Sequence, residues 1–273
     1  GNTAILQSNT TAAETTYTAP SGNSVGWVWN ANTAAVTNST GTITSQVSAN
    51  TTAGFSVVTY TGNGTAGATV GHGLGVAPSM VILKCRNTAG QDWLVMHQST
   101  ATDQFLVLDT TGAVTNISAT SGGAISTTTT SSTFTCKAGT VNSDNTNYTG
   151  RTYVAYCFAA IAGYSAFGSY TGNGSTDGPF VYLGFRPRYV MVKLTSAASQ
   201  DWAIKDSARD PYNVASNTLL ANLSSGEFSS NGLIDMLSNG FKIRDTNPNY
   251  NNSGATYIYA AFAENPLKFS LAR

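Results

Sequence analysis

Tyr60-Thr61-Gly62-Asn63-Gly64 returns unchanged as Tyr170-Thr171-Gly172-Asn173-Gly174. Outward from these two strings the likeness continues in the same order. Leu74-Gly75-Val76-Ala77-Pro78-Ser79-Met80-Val81-Ile82-Leu83-Lys84 answers to Leu183-Gly184-Phe185-Arg186-Pro187-Arg188-Tyr189-Val190-Met191-Val192-Lys193, and Gln91-Asp92-Trp93 to Gln200-Asp201-Trp202. Each copy closes on an aromatic run, Tyr153-Val154-Ala155-Tyr156-Cys157-Phe158-Ala159 and Tyr257-Ile258-Tyr259-Ala260-Ala261-Phe262-Ala263. Self-similarity at a fixed spacing marks repeated structural units. The division it predicts is two units, 55–163 and 164–273, behind an extended N-terminal segment or connector, 1–54.

Within each unit the local signals are those of strands. Pro78 and Pro187 stand before short apolar runs, Met80 to Lys84 and Tyr189 to Leu194, and a fixed φ suits strand entry. Phe105 to Leu108 and the closing runs are of strand length and rich in aromatic or β-branched residues. Gly-Asn, Asn-Gly and Ser-Gly pairs supply hairpin turns. Helical periodicity is scarce, with one or two turns expected at Ser230 to Leu237. The fold class expected is all-β, with two tandem antiparallel β-sandwich-like repeats. Residues 30–54 and 110–132, rich in Thr, Ser, Asn and Gly, read as a connector and as an exposed loop or shallow hairpin. Trp93 and Trp202 recur at one repeat position, which predicts a shared core residue. Val25 to Trp29 is expected to pack on a neighbouring domain or subunit.

Composition narrows the function classes. Hydrophobic residues are 41% of the chain and aromatic ones 10%, enough for a sizeable core. Only 10% are charged, and thirteen basic residues cancel thirteen acidic ones. About a third of the residues are Thr, Ser or Asn, so the polar surface is made of hydroxyls and amides. The first basic residue is Lys84, and Glu14 is the sole acid before Asp92. Such a chain lacks the basic footprint for nucleic acid and the polybasic stretch that meets anionic lipid. No run approaches the roughly 18 apolar residues of a membrane-spanning helix, so neither nucleic acid nor membrane insertion is expected. The three cysteines, Cys85, Cys136 and Cys157, allow at most one disulfide and have no CxxC spacing. With Gly1 at its start and no leader pattern, the chain reads as a piece of something longer.

The strings Tyr170 to Gly174, Gly178-Pro179-Phe180, Gly184-Phe185-Arg186-Pro187, Asp206-Ser207-Ala208-Arg209-Asp210-Pro211-Tyr212-Asn213 and Ala255 to Glu264 together resemble a duplicated domain of tailed-bacteriophage virion proteins, common in marine phages. The resemblance covers roughly residues 25 to 273. It implies a component of a phage particle, in a domain that usually ends a long protein and has no settled biochemical role.

Residues that could carry chemistry are few. Gly71-His72-Gly73-Leu74-Gly75 lacks the GxGxxG order and a following Lys-Ser/Thr, so it predicts a turn, not a phosphate cradle. His97, with Asp103 or Asp109 nearby, has the residue types of a general-base dyad, yet it aligns with Asp206 in the second unit. His72 and His97 are the only histidines and cannot complete a zinc site alone. Asp206 to Asn213 concentrates charge in a chain that has little. Asp206, Arg209, Asp210 and Asn213, with Arg186 and Arg188, form the candidate binding site, for a sugar or calcium; the competing reading is a loop held by an Arg209–carboxylate bridge. Ser143 to Asn147 and Asp245 to Asn252 occupy matching places and predict Asx-turn loops.

These readings predict no catalytic residues, no metal and no cofactor. The expected protein is an adhesin-like part of a tail fibre or head-attached fibre in the virion. It would be a homo-oligomer, a trimer among the candidate orders, that meets other virion proteins and host surface glycan. A capsid decoration protein is the alternative, and a polysaccharide depolymerase a third.

Overall fold

The computed structural model describes residues 25–31, 34–116, 125–126, 129–136, 146–229 and 232–264. The first unit contains β1 (Val36–Asn38), β2 (Ser45–Asn50), β3 (Phe55–Thr61), β4 (Ala68–Gly71), β5 (Met80–Cys85), β6 (Leu94–His97), β7 (Gln104–Val107), β8 (Thr115–Asn116), β9 (Ile125–Ser126), β10 (Thr133–Cys136) and β11 (Thr152–Phe158). The second contains β12 (Ser165–Thr171), β13 (Phe180–Tyr182), β14 (Pro187–Leu194), β15 (Ala203–Asp206), β16 (Leu219–Leu220), β17 (Ile234–Leu237), β18 (Gly240–Ile243), the short α1 (Pro248–Asn251) and β19 (Thr256–Ala263). All the named strand pairs are antiparallel.

Each unit is a sandwich of a large and a small sheet. The order β3-β11-β5-β6-β7 in the first is repeated as β12-β19-β14-β15-β16 in the second, and β4-β10-β9 as β13-β18-β17. The sequence repeat is therefore a structural duplication. The first unit adds β1 and β2 at one edge of its large sheet and β8 at the other.

The central strands are apolar on both faces because each large sheet is covered on both. In β11, Tyr153, Ala155 and Cys157 face the core of their own sandwich, while Tyr156 and Phe158 face the other unit. In β19, Tyr257, Tyr259, Ala261 and Ala263 point inward, and Ile258, Ala260 and Phe262 point across. The two large sheets thus lie back to back over a third core built from both units. Strands buried on two faces read as near-continuous apolar runs, which explains Met80 to Leu83 and Tyr257 to Ala263. Trp27 and Trp29 pack at its margin, Trp29 in edge-to-face contact with Tyr189, Phe158 and Phe262.

The twice-repeated Tyr-Thr-Gly-Asn-Gly string has a physical account at four of its five positions. Tyr60 and Tyr170 stack on Tyr153 and Tyr257 at 5.1 and 5.0 Å, and their hydroxyls donate to Thr146 O at 2.6 Å and Tyr250 O at 2.7 Å. A Cβ at Gly62 would lie 2.4 Å from Tyr148 O, and at Gly172 2.3 Å from Asn252 O. Asn63 and Asn173 are gripped by the wholly buried Asn147 and Asn251. The grip runs through the main-chain amide (2.9 and 2.8 Å) and the side-chain amide (3.0 and 3.1 Å). Gly64 and Gly174 have φ of 72° and 68°, a region that L side chains avoid.

Several expectations need correction. Residues 36 to 50, read as a connector, form the β1–β2 hairpin paired on β3. Ser230 to Leu237 contains a strand: Ile234 and Met236 are buried while Asp235 and Leu237 are half-exposed, the period of two that a short window hides. The one described helix is α1, capped by Asn247. Of 110–132, the described part gives β8 and β9, each paired with a neighbouring strand. Trp202 is buried and its Nε1 donates across to Val107 O at 2.9 Å. Trp93 is only half-buried and lies over Tyr156 on its own sheet. Two related units meeting through one interface do not give equivalent positions equal burial. Cys85, Cys136 and Cys157 are buried thiols with no disulfide among them.

The asparagine grip generates a test. Asn251→Ala removes a wholly buried side chain that accepts the Asn173 amide and donates to Asn173 Oδ1, Ser175 O and Asp245 O, and should lower unfolding free energy by roughly 3 kcal/mol. The exposed neighbour Asn252→Ala should change it by less than about 0.5 kcal/mol. Urea unfolding of both variants is the measurement, and equal effects would remove the grip from the account.

Candidate functional site

The Asp206 to Asn213 loop leaves the end of β15 and is organised by its own charges. Asp206 is buried, and its Oδ1 accepts the amides of Ala208 and Arg209 at 3.1 and 3.0 Å, a tight Asx turn. Its Oδ2 accepts Arg209 Nε at 2.6 Å. The other arm of Arg209 reaches Glu227, and its guanidinium lies 5.9 Å from the Trp27 ring. Asp210 accepts the Asn217 main-chain and side-chain amides at 2.6 and 2.9 Å. The Asn213 side-chain amide caps the edge of β17: its Oδ1 accepts Met236 N at 2.8 Å and its Nδ2 donates to Met236 O at 3.3 Å.

The structure brings Arg186 and Arg188 to the same end of the unit, where both face Glu264, at 2.9 and 3.9 Å. Arg186 also donates to Pro211 O at 3.5 Å. Beneath the loop Lys205 is fully buried, donates to Ser216 O at 2.8 Å and sits 5.6 Å from the Tyr250 ring. Burial pulls its pKa down to about 8 against the opposing pull of Asp210. The six candidate residues are thus gathered on one side of the second unit, but Asp206, Asp210 and Asn213 turn to three different partners instead of converging on one point. Among the described residues no group of three or more His, Cys, Asp or Glu side chains is placed to hold a metal ion.

Sequence reasoning missed Glu227 and Glu264. A signal was present: the chain has three glutamates, and two of them are these partners. In a chain so poor in charge, a cluster of arginines implies that the scarce acids lie beside it.

Both histidines serve the backbone. His97 Nδ1 accepts the Ser99 amide at 3.1 Å, which places the proton on Nε2, facing Tyr259 O of the second unit at 3.1 Å. His72 repeats the pattern, with Nδ1 accepting Leu74 N and Nε2 facing Thr130 O, both at 3.2 Å. Asp109, one of the two acids considered for a dyad, accepts the Trp93 amide at 3.1 Å. His97 and Asp206, which share a repeat position, do the same work: each ties down the turn after its strand.

A duplicated all-β protein, built of two sandwiches packed back to back, is what the fold and this internally bonded loop define. The chain belongs to the family described as a domain of unknown function, DUF7483, whose model matches residues 2–266. No curated protein and no solved structure matches it. No described helix is long and apolar enough to cross a membrane.

Burial pulls the His97 pKa from 6.5 down to about 4. The unfolded chain therefore binds the proton first, so this contribution is complete above pH 6.5 and is lost as pH falls toward 4. The loss should approach roughly 3 kcal/mol. Unfolding free energy at pH 7 and pH 4.5 for the parent and His97→Gln isolates it: the parent should lose more than the variant, and parallel losses would refute the assignment.

Proposed function

We propose that this chain acts by contact, not catalysis, as an adhesin-like structural component of a tailed-bacteriophage particle, in a tail fibre or a fibre projecting from the head. Copies of the chain, other virion proteins and host surface glycan are the partners in this reading. One observation carries it: the polar residues that both units repeat, the Tyr-Thr-Gly-Asn-Gly strings with their asparagine grips and the His97/Asp206 position, are bonded internally and maintain shape. What the molecule offers its surroundings is a rigid body coated mainly in short hydroxyl and amide groups, which lose little conformational freedom on contact. The resemblance of the Tyr170 to Glu264 strings to phage virion domains supports the same reading.

Net charge is zero, so neither long-range steering nor counterion release dominates association. Binding of the chain to purified particles or host envelopes should change by no more than about threefold between dilute and molar salt. A collapse at moderate salt would instead make the Arg186, Arg188 and Asp206 to Asp210 charges the contact. Immunogold labelling of the parent phage with antibodies to the chain tests location. Label on a fibre supports the proposal, label spread over the shell indicates capsid decoration, and unlabelled particles overturn the virion assignment.

A further inference from the structure

In the first unit the side of the sandwich beside β3 and β4 is closed by the chain itself. β2 pairs along β3, with Gln46 opposite Thr59 and Ser48 opposite Val57. The residues leading into β2 run along β4: Ile43 N donates to Thr69 O at 3.0 Å, and Thr69 N donates to Thr42 Oγ1 at 2.8 Å. The β4 side chains beneath this cover are small. A Cβ on Gly71 would lie 2.4 Å from Asn38 Oδ1.

The described residues of the second unit contain no such cover. β12, the counterpart of β3, and β13, the counterpart of β4, are both edge strands. Ala263 N donates to Tyr164 O and Gly172 N to Ala255 O, and these two bonds set the phase of the β12–β19 ladder. Ala166, Gly168 and Tyr170 turn their backbone groups to β19, while Phe167, Ser169 and Thr171 turn theirs outward. The Phe167 carbonyl accepts Gln98 Nε2 at 2.6 Å. The outward groups of Ser169 and Thr171 meet no partner among the described residues, and both residues are exposed. Register through Phe134 and Phe241 places Phe180 and Tyr182 where the first unit has Thr69 and Gly71. They are 45% and 66% exposed.

An open edge templates another strand unless charge, proline or a bulge deters it. β12 has none of these: Ser165 to Gly174 contains no charged residue and no proline, and its pairing with β19 is regular. We propose that β12 pairs antiparallel with β12 of a second copy of this chain, about a two-fold axis at Ser169. In that register Ser169 faces itself and Phe167 faces Thr171 of the copy, so the ladder uses only groups that already point outward, with the Phe167 carbonyl taking a second donor on its other lone pair beside Gln98 Nε2. An isologous contact sets the strand against a copy of itself, so any charge on it would meet a like charge at or near the axis, which an uncharged strand avoids. Phe180 and Tyr182, on the same open side, gain cover from the partner. The proposal deepens the contact reading by naming one of its surfaces, and rests on that reading only for the use a particle would make of the dimer.

Sedimentation of the full chain across a concentration series, with amide exchange read at Ser169 and Thr171, tests it. A reversible dimer is expected, with both amides protected only at high concentration. Ser169→Pro removes an outward N–H that has no internal partner, and Ser169→Lys places like charges across the axis; each should weaken the dimer about tenfold or more with unfolding midpoints unchanged. Molar salt should restore part of the Lys variant's affinity and none of the Pro variant's. A parent that stays monomeric throughout, or a dimer indifferent to both substitutions, overturns the proposal, and neither result alters where antibodies label the particle.

Discussion

Phe262 stands where the two units meet, and the arrangement of the molecule follows from what surrounds it. Its ring lies 5.2 to 6.2 Å from those of Trp29, Phe158, Tyr164, Phe167 and Tyr189, drawn from the N-terminal segment, the first unit and the second. Aromatic clusters of this kind combine large buried area with orientation-dependent contacts. Polar bonds fix the register of the pairing: Trp202 Nε1 to Val107 O, Lys193 Nζ to Thr111 O, and His97 Nε2 with Tyr259 O. The outer faces of both large sheets are thereby removed from water. That is why the strands had to be apolar on both sides, and why a chain so rich in Thr, Ser and Asn still devotes its central runs to Val, Ile, Leu, Tyr and Phe.

Much of this was legible in the residues. The repeat gave the duplication, and the proline-led runs and closing aromatic strings gave the strands, because both signals are local. The back-to-back packing was written in the same runs but needed a partner surface to interpret, since an apolar strand does not say what covers its second face. The different fates of Trp93 and Trp202 were out of reach for that reason. Ser230 to Leu237 reads as one or two helical turns because the strand inside it, Ile234 to Leu237, is four residues long, too short to separate a period of two from 3.6. The β1–β2 hairpin was missed because Val36 and Val47 are its sparse apolar markers amid polar residues, and its stability comes from the edge it pairs with.

The candidate site was half legible. Asp206, Arg209, Asp210 and Asn213 were found as a charged cluster, and the competing reading of an Arg209–carboxylate bridge describes much of what they do. What the spacing could not reveal was the direction of each group, with Asp210 turned to Asn217 and Asn213 to the β17 edge. Those bonds depend on segments that fold back from several residues away. The loop is consequently stiff, and any surface it presents is made by its exposed residues, such as Tyr212, more than by its charges.

The back-to-back contact also limits how this architecture can grow. In a solenoid each unit shows one face to its predecessor and another to its successor, so copies can be added without end. Here each unit shows the other the outer face of its one large sheet, and both such faces are consumed. A third copy appended in tandem would find no equivalent surface to dock on. Lengthening of such a protein by gene duplication would therefore have to proceed in pairs, and the differences between Trp93 and Trp202 mean that the members of a pair are no longer interchangeable.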